Sequence, residues 1–482
     1  MSKGIRAFRY LVLAAPALVL LAAGCTDEEK VYIDKPLFED PPESAAGFLG
    51  YDEEGQKLTV CGNCHVGQQA GWEETAHAGA WATLEASGHA QGLCENCHTA
   101  GPNGNPTSGT VGFAGTGGSS RYHDVQCESC HGPGLTHVTN PDASAPIASI
   151  RVALDAENGC GECHQGAHHP FLEDWSRSPH AEPVSTVVSR AADNPVEYGE
   201  CLACHTGQGA LEAWGVRAEY IEKDDAIQDY LGITCAVCHD PHESFNTGQL
   251  RFPVDSPNVE LNLCAKCHNR RAEPEIEAAS LRGPHAPEAP LLFGTAGWFP
   301  PGFEPDTRIL GTHGTTGNPR MCASCHVAGY EVQDQSTGDF LVTVTGHRFL
   351  AIPCVDENGI PTDDQDCDTS DRIFNACANS GCHGDADAVR STYTSAKARI
   401  DALVAQVDAV LADPDQVPPG ERDSNDGRFT VADGAWFNAR LAALPGSSTH
   451  NPYLCEALLE ASLDAIEAAY GNGLRAENTP DE

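Results

Sequence analysis

Eight times along the chain two cysteines stand two residues apart with a histidine directly behind the second. The copies are Cys61, Cys64 and His65 in CGNCH, Cys94, Cys97 and His98 in CENCH, Cys127, Cys130 and His131 in CESCH, and Cys160, Cys163 and His164 in CGECH. They continue with Cys201, Cys204 and His205 in CLACH, Cys235, Cys238 and His239 in CAVCH, Cys264, Cys267 and His268 in CAKCH, and Cys322, Cys325 and His326 in CASCH. We number them I to VIII in chain order. With 22 Cys and 21 His in 482 residues, chance would produce roughly 0.04 such motifs, so the pattern is built for chemistry. That chemistry is haem attachment: two thioethers reach one porphyrin edge, and the adjacent imidazole reaches the iron. Zinc ribbons also use paired cysteines, but zinc has no reason to demand a histidine behind every second one. Eight strained two-residue disulfide loops would be a poor framework.

A ninth copy is expanded. CANSGCH holds Cys377, Cys382 and His383 with four residues between the cysteines, a spacing that resembles the expanded attachment motif of some multihaem cytochromes. It reads as a ninth haem site, with a disulfide beside a chance histidine as the alternative. The expectation is therefore nine covalent haems c, and eight at minimum. Cys354 and Cys367 bracket an acidic loop and are candidates for a disulfide, while Cys455 is left without a role.

Nine motif histidines leave twelve of the 21. An iron with two imidazoles needs a second histidine from elsewhere, and only two methionines exist to supply the alternative. His77 and His180 both close a Trp-x-x-(Ser/Thr)-x-His stretch. His137 ends CHGPGLTH, His242 lies in CHDPH, His89 in SGHA, and His169 precedes a proline. His285, His313, His347 and His450 complete the candidates, and His123 and His168 are set aside.

The elements that position these residues have little side-chain core to work with. Gly 48 and Pro 32 are abundant, and aliphatic runs are scarce after the first 25 residues. The haems themselves must fill the interior. The expected fold is a multihaem cytochrome of mostly short α-helices and coil wrapped around stacked haems, with little β. The Gly-rich stretch GPNGNPTSGTVGFAGTGGSS and the Pro-rich GPHAPEAPLLFGTAGWFPPGFEP read as coil. EVQDQSTGDFLVTVTG alternates around a turn and predicts a β-hairpin. Two amphipathic helices follow, DAVRSTYTSAKARIDALVAQVDAVLAD and HNPYLCEALLEASLDAIEAAYG. Residues 1–24 read as a signal peptide of lipoprotein type, 25–60 as an acidic tether, 61–390 as the multihaem core and 391–482 as a C-terminal helical hairpin.

The N-terminus carries Lys3, Arg6 and Arg9 ahead of a short apolar run that ends in LAAGC. This looks like the lipobox of bacterial lipoproteins, with Ala22 where a larger aliphatic residue is usual, and makes Cys25 the lipid-bearing residue. An ordinary cleaved signal is the alternative. Either way the chain works outside the cytoplasm, where oxidised cysteines are allowed, and the lipid reading expects the outer membrane. The net charge of −41 argues against nucleic acid and against a basic membrane patch. Redox proteins of the cell envelope are the expected partners, with self-association left open.

CHGPG, the His-Pro and Trp-x-x-Ser-x-His arrangement after motif IV, and the doubled CAVCHDPH and NLCAKCH resemble the multihaem cytochrome c group over residues 61–390. That group holds octahaem hydroxylamine oxidoreductases, tetrahaem cytochromes of ammonia oxidisers and doubled-CxxCH carriers. The resemblance implies that His77, His180 and His169 are axial ligands, which in that group often serve a haem other than their sequence neighbour. The C-terminal helices resemble those of nitrite-reductase and hydroxylamine-oxidoreductase relatives, which would bring His450 to a haem, with His383 as the expected partner. Two functions follow. One is electron transfer along mostly bis-histidine haems, in respiratory or extracellular electron flow; the other is a hydroxylamine- or nitrite-type oxidoreductase with one open iron. The Cys-x-x-Cys-Lys motif that marks the open site in nitrite-reductase relatives is missing, and electron transfer is the favoured reading.

Overall fold

The computed structural model describes residues 38–152, 159–167, 169–216, 230–243, 245–278, 280–303, 309, 311, 313–315, 317–378, 383–422 and 426–471. By its contacts the chain divides into one unit ending at Asp40 and a second from Pro41 to Glu482. The signal segment, Cys25, His168 and Cys382 lie outside the described residues.

The second unit begins ahead of motif I. Ala45, Phe48 and Leu49 are fully buried, and β1 (Tyr51–Glu53) pairs antiparallel with β2 (Leu58–Thr59). The tether expected to reach residue 60 thus stops near Pro41. The cause is a buried carboxylate within motif III. Glu128 accepts backbone N–H groups from Leu49 (2.8 and 2.9 Å), Gly50 (2.8 Å) and Gly134 (2.7 Å), tying the segment down.

Through the motif region the helices are short: α1 (Val66–Glu73), α2 (Ala80–Ala86), α3 (Phe171–Ser176), α4 (Ser185–Asp193) and α5 (Gly207–Ala213). The predicted hairpin forms, with β3 (Tyr330–Gln333) antiparallel to β4 (Phe340–Val344) and Tyr330 opposite Val344. Buried side chains here gather only in small separate clusters, such as Ala45, Phe48, Ala100, Phe113 and Tyr122. A chain of this length would normally build one contiguous core, so something other than side chains must occupy the interior between the motifs.

The exception is C-terminal. The two predicted helices are α6 (Ala386–Ala412) and α8 (Pro452–Ile466), and a third, α7 (Val431–Ala442), lies between them. Together they bury Ile400, Val407, Leu441, Leu454, Leu458 and Leu459 with Trp298. Each start is capped. Asp385 and Asn451 accept the Ala388 and Leu454 N–H groups, and Thr430 with Asp433 forms a capping box. Cys354 and Cys367 form the disulfide, with Cα atoms 6.1 Å apart. Cys455 is buried on α8, its thiol 3.6 Å from the Ser447 carbonyl. No helix of the described residues is long and apolar enough to cross a membrane.

Candidate metal centres

Each motif folds as a single helical turn. In five of them the histidine N–H donates to the carbonyl of the first cysteine: His65 to Cys61 (2.9 Å), His131 to Cys127 (3.0 Å), His164 to Cys160 (3.1 Å), His239 to Cys235 (2.8 Å) and His268 to Cys264 (3.1 Å). One turn between the cysteines sets both sulfurs on one side, with the imidazole just beyond. At motif IX the turn covers Asn375–Ala378; Cys382 falls outside the described residues, and His383 is within them.

The imidazoles are arranged in pairs across gaps. His65 faces His137 with ring centres 6.3 Å apart, His131 faces His242 at 6.1 Å, His164 faces His77 at 6.2 Å, and His205 faces His285 at 6.0 Å. His239 faces His347 at 6.4 Å, His268 faces His180 at 6.4 Å, His326 faces His450 at 6.1 Å, and His383 faces His313 at 6.0 Å. Every pair joins one motif histidine to one histidine outside the motifs. A metal–imidazole bond is about 2 Å and the ring centre lies about 1 Å further, so two imidazoles on opposite sides of one metal sit about 6 Å apart. Direct ring stacking is much closer, as at Trp81 and His123 with centres 3.8 Å apart. The gaps therefore fit a haem iron between two histidines. Among the described residues no group of three His, Cys, Asp or Glu side chains converges as a zinc site would need.

The outer ring nitrogens are held as ligands require. Nδ1 of His98 lies 2.8 Å from the Ala80 carbonyl, and those of His131, His137, His239, His313 and His326 lie within 3.0 Å of the carbonyls of Pro146, Ser144, Gly248, Thr449 and Phe349. An N–H donated there leaves Nε2 free for iron. His268 instead meets a carboxylate oxygen of Glu288 at 3.2 Å, and His242 meets Asp240 at 3.3 Å. Burial pushes His164, His180 and His450 down to about 4, keeping them neutral, the form that binds metal.

The two Trp-x-x-(Ser/Thr)-x-His stretches share one wiring. The Trp72 indole N–H donates to Val125 O (2.9 Å), and Thr75 Oγ1 donates to Trp72 O (2.7 Å). The Val125 N–H closes the arrangement on His77 O (3.2 Å). In the second copy Trp175 donates to Ile233 O (2.9 Å), Ser178 to Trp175 O (2.7 Å), and the Ile233 N–H to His180 O (2.7 Å). Val125 and Ile233 each stand two residues ahead of a motif. Each stretch thus docks its histidine on the approach to one motif (III or VI) and faces it to the histidine of the next (IV or VII).

Two segments of the chain, residues 60–132 and 159–240, match the family described as cytochrome c554 and c-prime, and residues 231–273 match the doubled CXXCH motif. The chain is a multihaem c-type cytochrome. Such proteins transfer electrons through covalently bound haem c. The fold of this cytochrome is similar to a solved structure described as the outer cell wall cytochrome OcwA, at 19% identity and a TM-score of 0.50, over 79% of this chain and 78% of that one. An undecahaem cytochrome from the S-layer of Carboxydothermus ferrireducens matches at 20% identity and a TM-score of 0.42, over 79% of this chain and 56% of that one. No curated protein matches the chain.

One expectation about second histidines is corrected. His450 faces His326 rather than His383, whose partner is His313, because the turn Ser447–His450 sits between α7 and α8 and His313 Nδ1 lies 3.0 Å from Thr449 O. His169 lies beside motif IV, whose His164 is faced by His77, and lines a cavity of about 430 Å³ with Phe171 and Tyr330. His89 is exposed within the exposed run 85–93. One motif histidine stands apart: among the described residues no second imidazole faces His98.

The cysteines show which centres adjoin. Cysteine side chains close enough to interact link I to III (Cys61 and Cys127), II to IV (Cys97 and Cys163), IV to VI (Cys160 and Cys235), V to VII (Cys204 and Cys267) and VII to VIII (Cys264 and Cys322). Cys130 lies within electrostatic reach of Cys160, Cys264 of Cys238, and Cys377 of Cys325. The nine motifs therefore form one connected series, I–III–IV–VI–VII–VIII–IX, with II branching at IV and V at VII.

Proposed function

We propose that this cytochrome holds nine haems c and conducts electrons along them outside the cytoplasm, in respiratory or extracellular electron transfer. The observation that carries the reading is the set of eight facing pairs, each with one motif histidine and one from elsewhere. Haem, when bound, supplies one-electron iron chemistry. The chain does the rest. The cysteines would hold each haem edge, and the facing pairs would hold each iron: His65 with His137, His131 with His242, His164 with His77, His205 with His285, His239 with His347, His268 with His180, His326 with His450 and His383 with His313. Two imidazoles per iron favour low potentials, and the Glu288 and Asp240 carboxylates make the His268 and His242 rings stronger donors. The connected series of motifs supports conduction from end to end. The pairing of His383 with His313 supports a ninth haem at CANSGCH. The export-type N-terminus with LAAGC supports a lipid anchor at Cys25 in the cell envelope, with outer membrane attachment and envelope redox partners.

Intact mass of the denatured protein tests the count, because thioether-bound haem survives denaturation. Nine haem increments are expected, falling to eight or to a mixture in Cys382→Ala. Eight increments in the unaltered protein, with a reducible Cys377–Cys382 bond, would remove the ninth site.

That no second imidazole faces His98 among the described residues favours a second reading. An iron bound by His98 alone keeps one position for a small molecule, as an oxidoreductase acting on hydroxylamine or nitrite needs. Carbon monoxide should then bind one haem of the reduced protein, and Cys94→Ala/Cys97→Ala should abolish it. Failure to bind would leave electron transfer alone.

A further inference from the structure

The stretch Thr345–Phe349 follows β4 and carries one axial candidate, His347, but its last residue is the odd one. Phe349 has φ 58°, the left-handed region that a bulky side chain occupies only at a cost of roughly 1 kcal/mol or more. The chain enforces this conformation from several sides. The Phe349 N–H donates to Gly346 O (3.0 Å). The Thr345 N–H and hydroxyl both donate to Asp174 on α3, at 2.8 and 2.6 Å. Arg348, almost fully buried, donates to Pro361 O (2.5 Å), Thr362 O (2.7 Å) and Asp363 (2.6 Å).

The strained conformation brings Phe349 to three centres at once. Its ring centre lies 4.5 Å from that of His180, edge-on at 76°, and 5.9 Å from that of His347 at 60°. His180 belongs to the pair at VII and His347 to the pair at VI. The Phe349 carbonyl lies 2.8 Å from Nδ1 of His326, the motif histidine of VIII. These three are consecutive members of the connected series. A second ring extends the contact backwards, since Phe171 lies 4.9 Å from His347 and 5.8 Å from His164 of IV.

We propose that Phe349 is the positioning residue of the central junction, its ring setting the imidazole planes at VI and VII and its carbonyl aiming the imidazole at VIII. The inference rests on the reading of VI, VII and VIII as bis-histidine haem centres. The two rings of each pair are 22° apart at VI and 72° apart at VII. The mutual angle of the two imidazoles governs the low-spin signal of a bis-histidine iron, so these centres should give distinct signals, and an edge-on phenyl between their second histidines is placed to maintain both.

Electron paramagnetic resonance of the whole haem-loaded protein tests this. His347→Met and His180→Met each identify the signal of one centre. Phe349→Ala and Phe349→Leu remove the ring and keep the carbonyl, so both should shift those two signals, leave the others in place and keep the full haem mass. Phe349→Tyr retains the ring and should reproduce the unaltered spectrum. The proposal is overturned if the Ala and Leu spectra superimpose on the unaltered one, or if Tyr shifts the signals as far as Ala does. If neither His→Met variant changes a low-spin signal, the haem reading of VI and VII fails before the question of Phe349 arises.

Discussion

Replacing Glu128 by Gln tests how the N-terminal segment is locked to motif III. The side chain is almost fully buried, and its oxygens take three backbone N–H donors, those of Leu49, Gly50 and Gly134, at 2.7–2.9 Å. Burial pushes the carboxyl upward while the backbone donors oppose it. A glutamine has the same shape but only one acceptor oxygen. Turned toward Leu49 and Gly50, it presents its NH2 to the Gly134 N–H, and a buried donor is left unmatched. Losing one charge-assisted hydrogen bond and stranding a donor costs about 2–3 kcal/mol. Glu128→Ala strands all three donors and should cost more, about 3–5 kcal/mol. Guanidinium unfolding of the haem-loaded protein gives the difference directly. Since Leu135 N–H also donates to Gly47 O (3.1 Å), the same variants should loosen His137 against His65. A Gln variant within about 0.5 kcal/mol of the parent, or an Ala variant no worse than Gln, would refute the reasoning.

Three further outcomes are expected. Cys25→Ser should release the protein from membranes into the soluble extracytoplasmic fraction; fractionation identical to the parent would leave an ordinary signal. Trp72→Phe keeps a smaller aromatic ring but removes the indole N–H to Val125 O and some buried volume, and should cost about 1 kcal/mol for the hydrogen bond and more for the cavity while disturbing the spectrum of the centre shared by His77 and His164, with Trp175→Phe doing the same for His180 and His268. Gly434→Ala should prevent stable packing of α7, because the added Cβ would lie 2.1 Å from the Trp298 ring; a variant that unfolds at the parent's denaturant concentration would contradict that packing.

The attachment motifs were legible because their chemistry is local: two sulfurs and an imidazole must meet one haem edge within five consecutive residues. The second histidines were legible only as a surplus. His65 meets His137, and His131 meets His242, across long stretches of sequence whose local patterns do not link the two histidines. Where a local signal existed, it was the Trp-x-x-(Ser/Thr)-x-His stretch, and the repeated docking on Val125 and Ile233 explains why it recurs. His450 was placed at His383 in the sequence reading because proximity along the chain favoured it, whereas His383 faces His313. The helix α7 went unseen because Ala and Gly form most of its buried face, giving little amphipathic contrast. The extent of the tether was misjudged because the residue that ends it, Glu128, lies far along the chain inside a motif.

The central claim is that eight irons lie between named pairs of histidines, while among the described residues no second imidazole faces His98. The spin states of the fully loaded, oxidised protein test it most directly. Quantified electron paramagnetic resonance is predicted to give at least eight low-spin irons per chain; a further high-spin iron lost in Cys94→Ala/Cys97→Ala would mark the open site of the second reading. Fewer than eight low-spin irons would contradict the pairing, and nine would remove the second reading of His98.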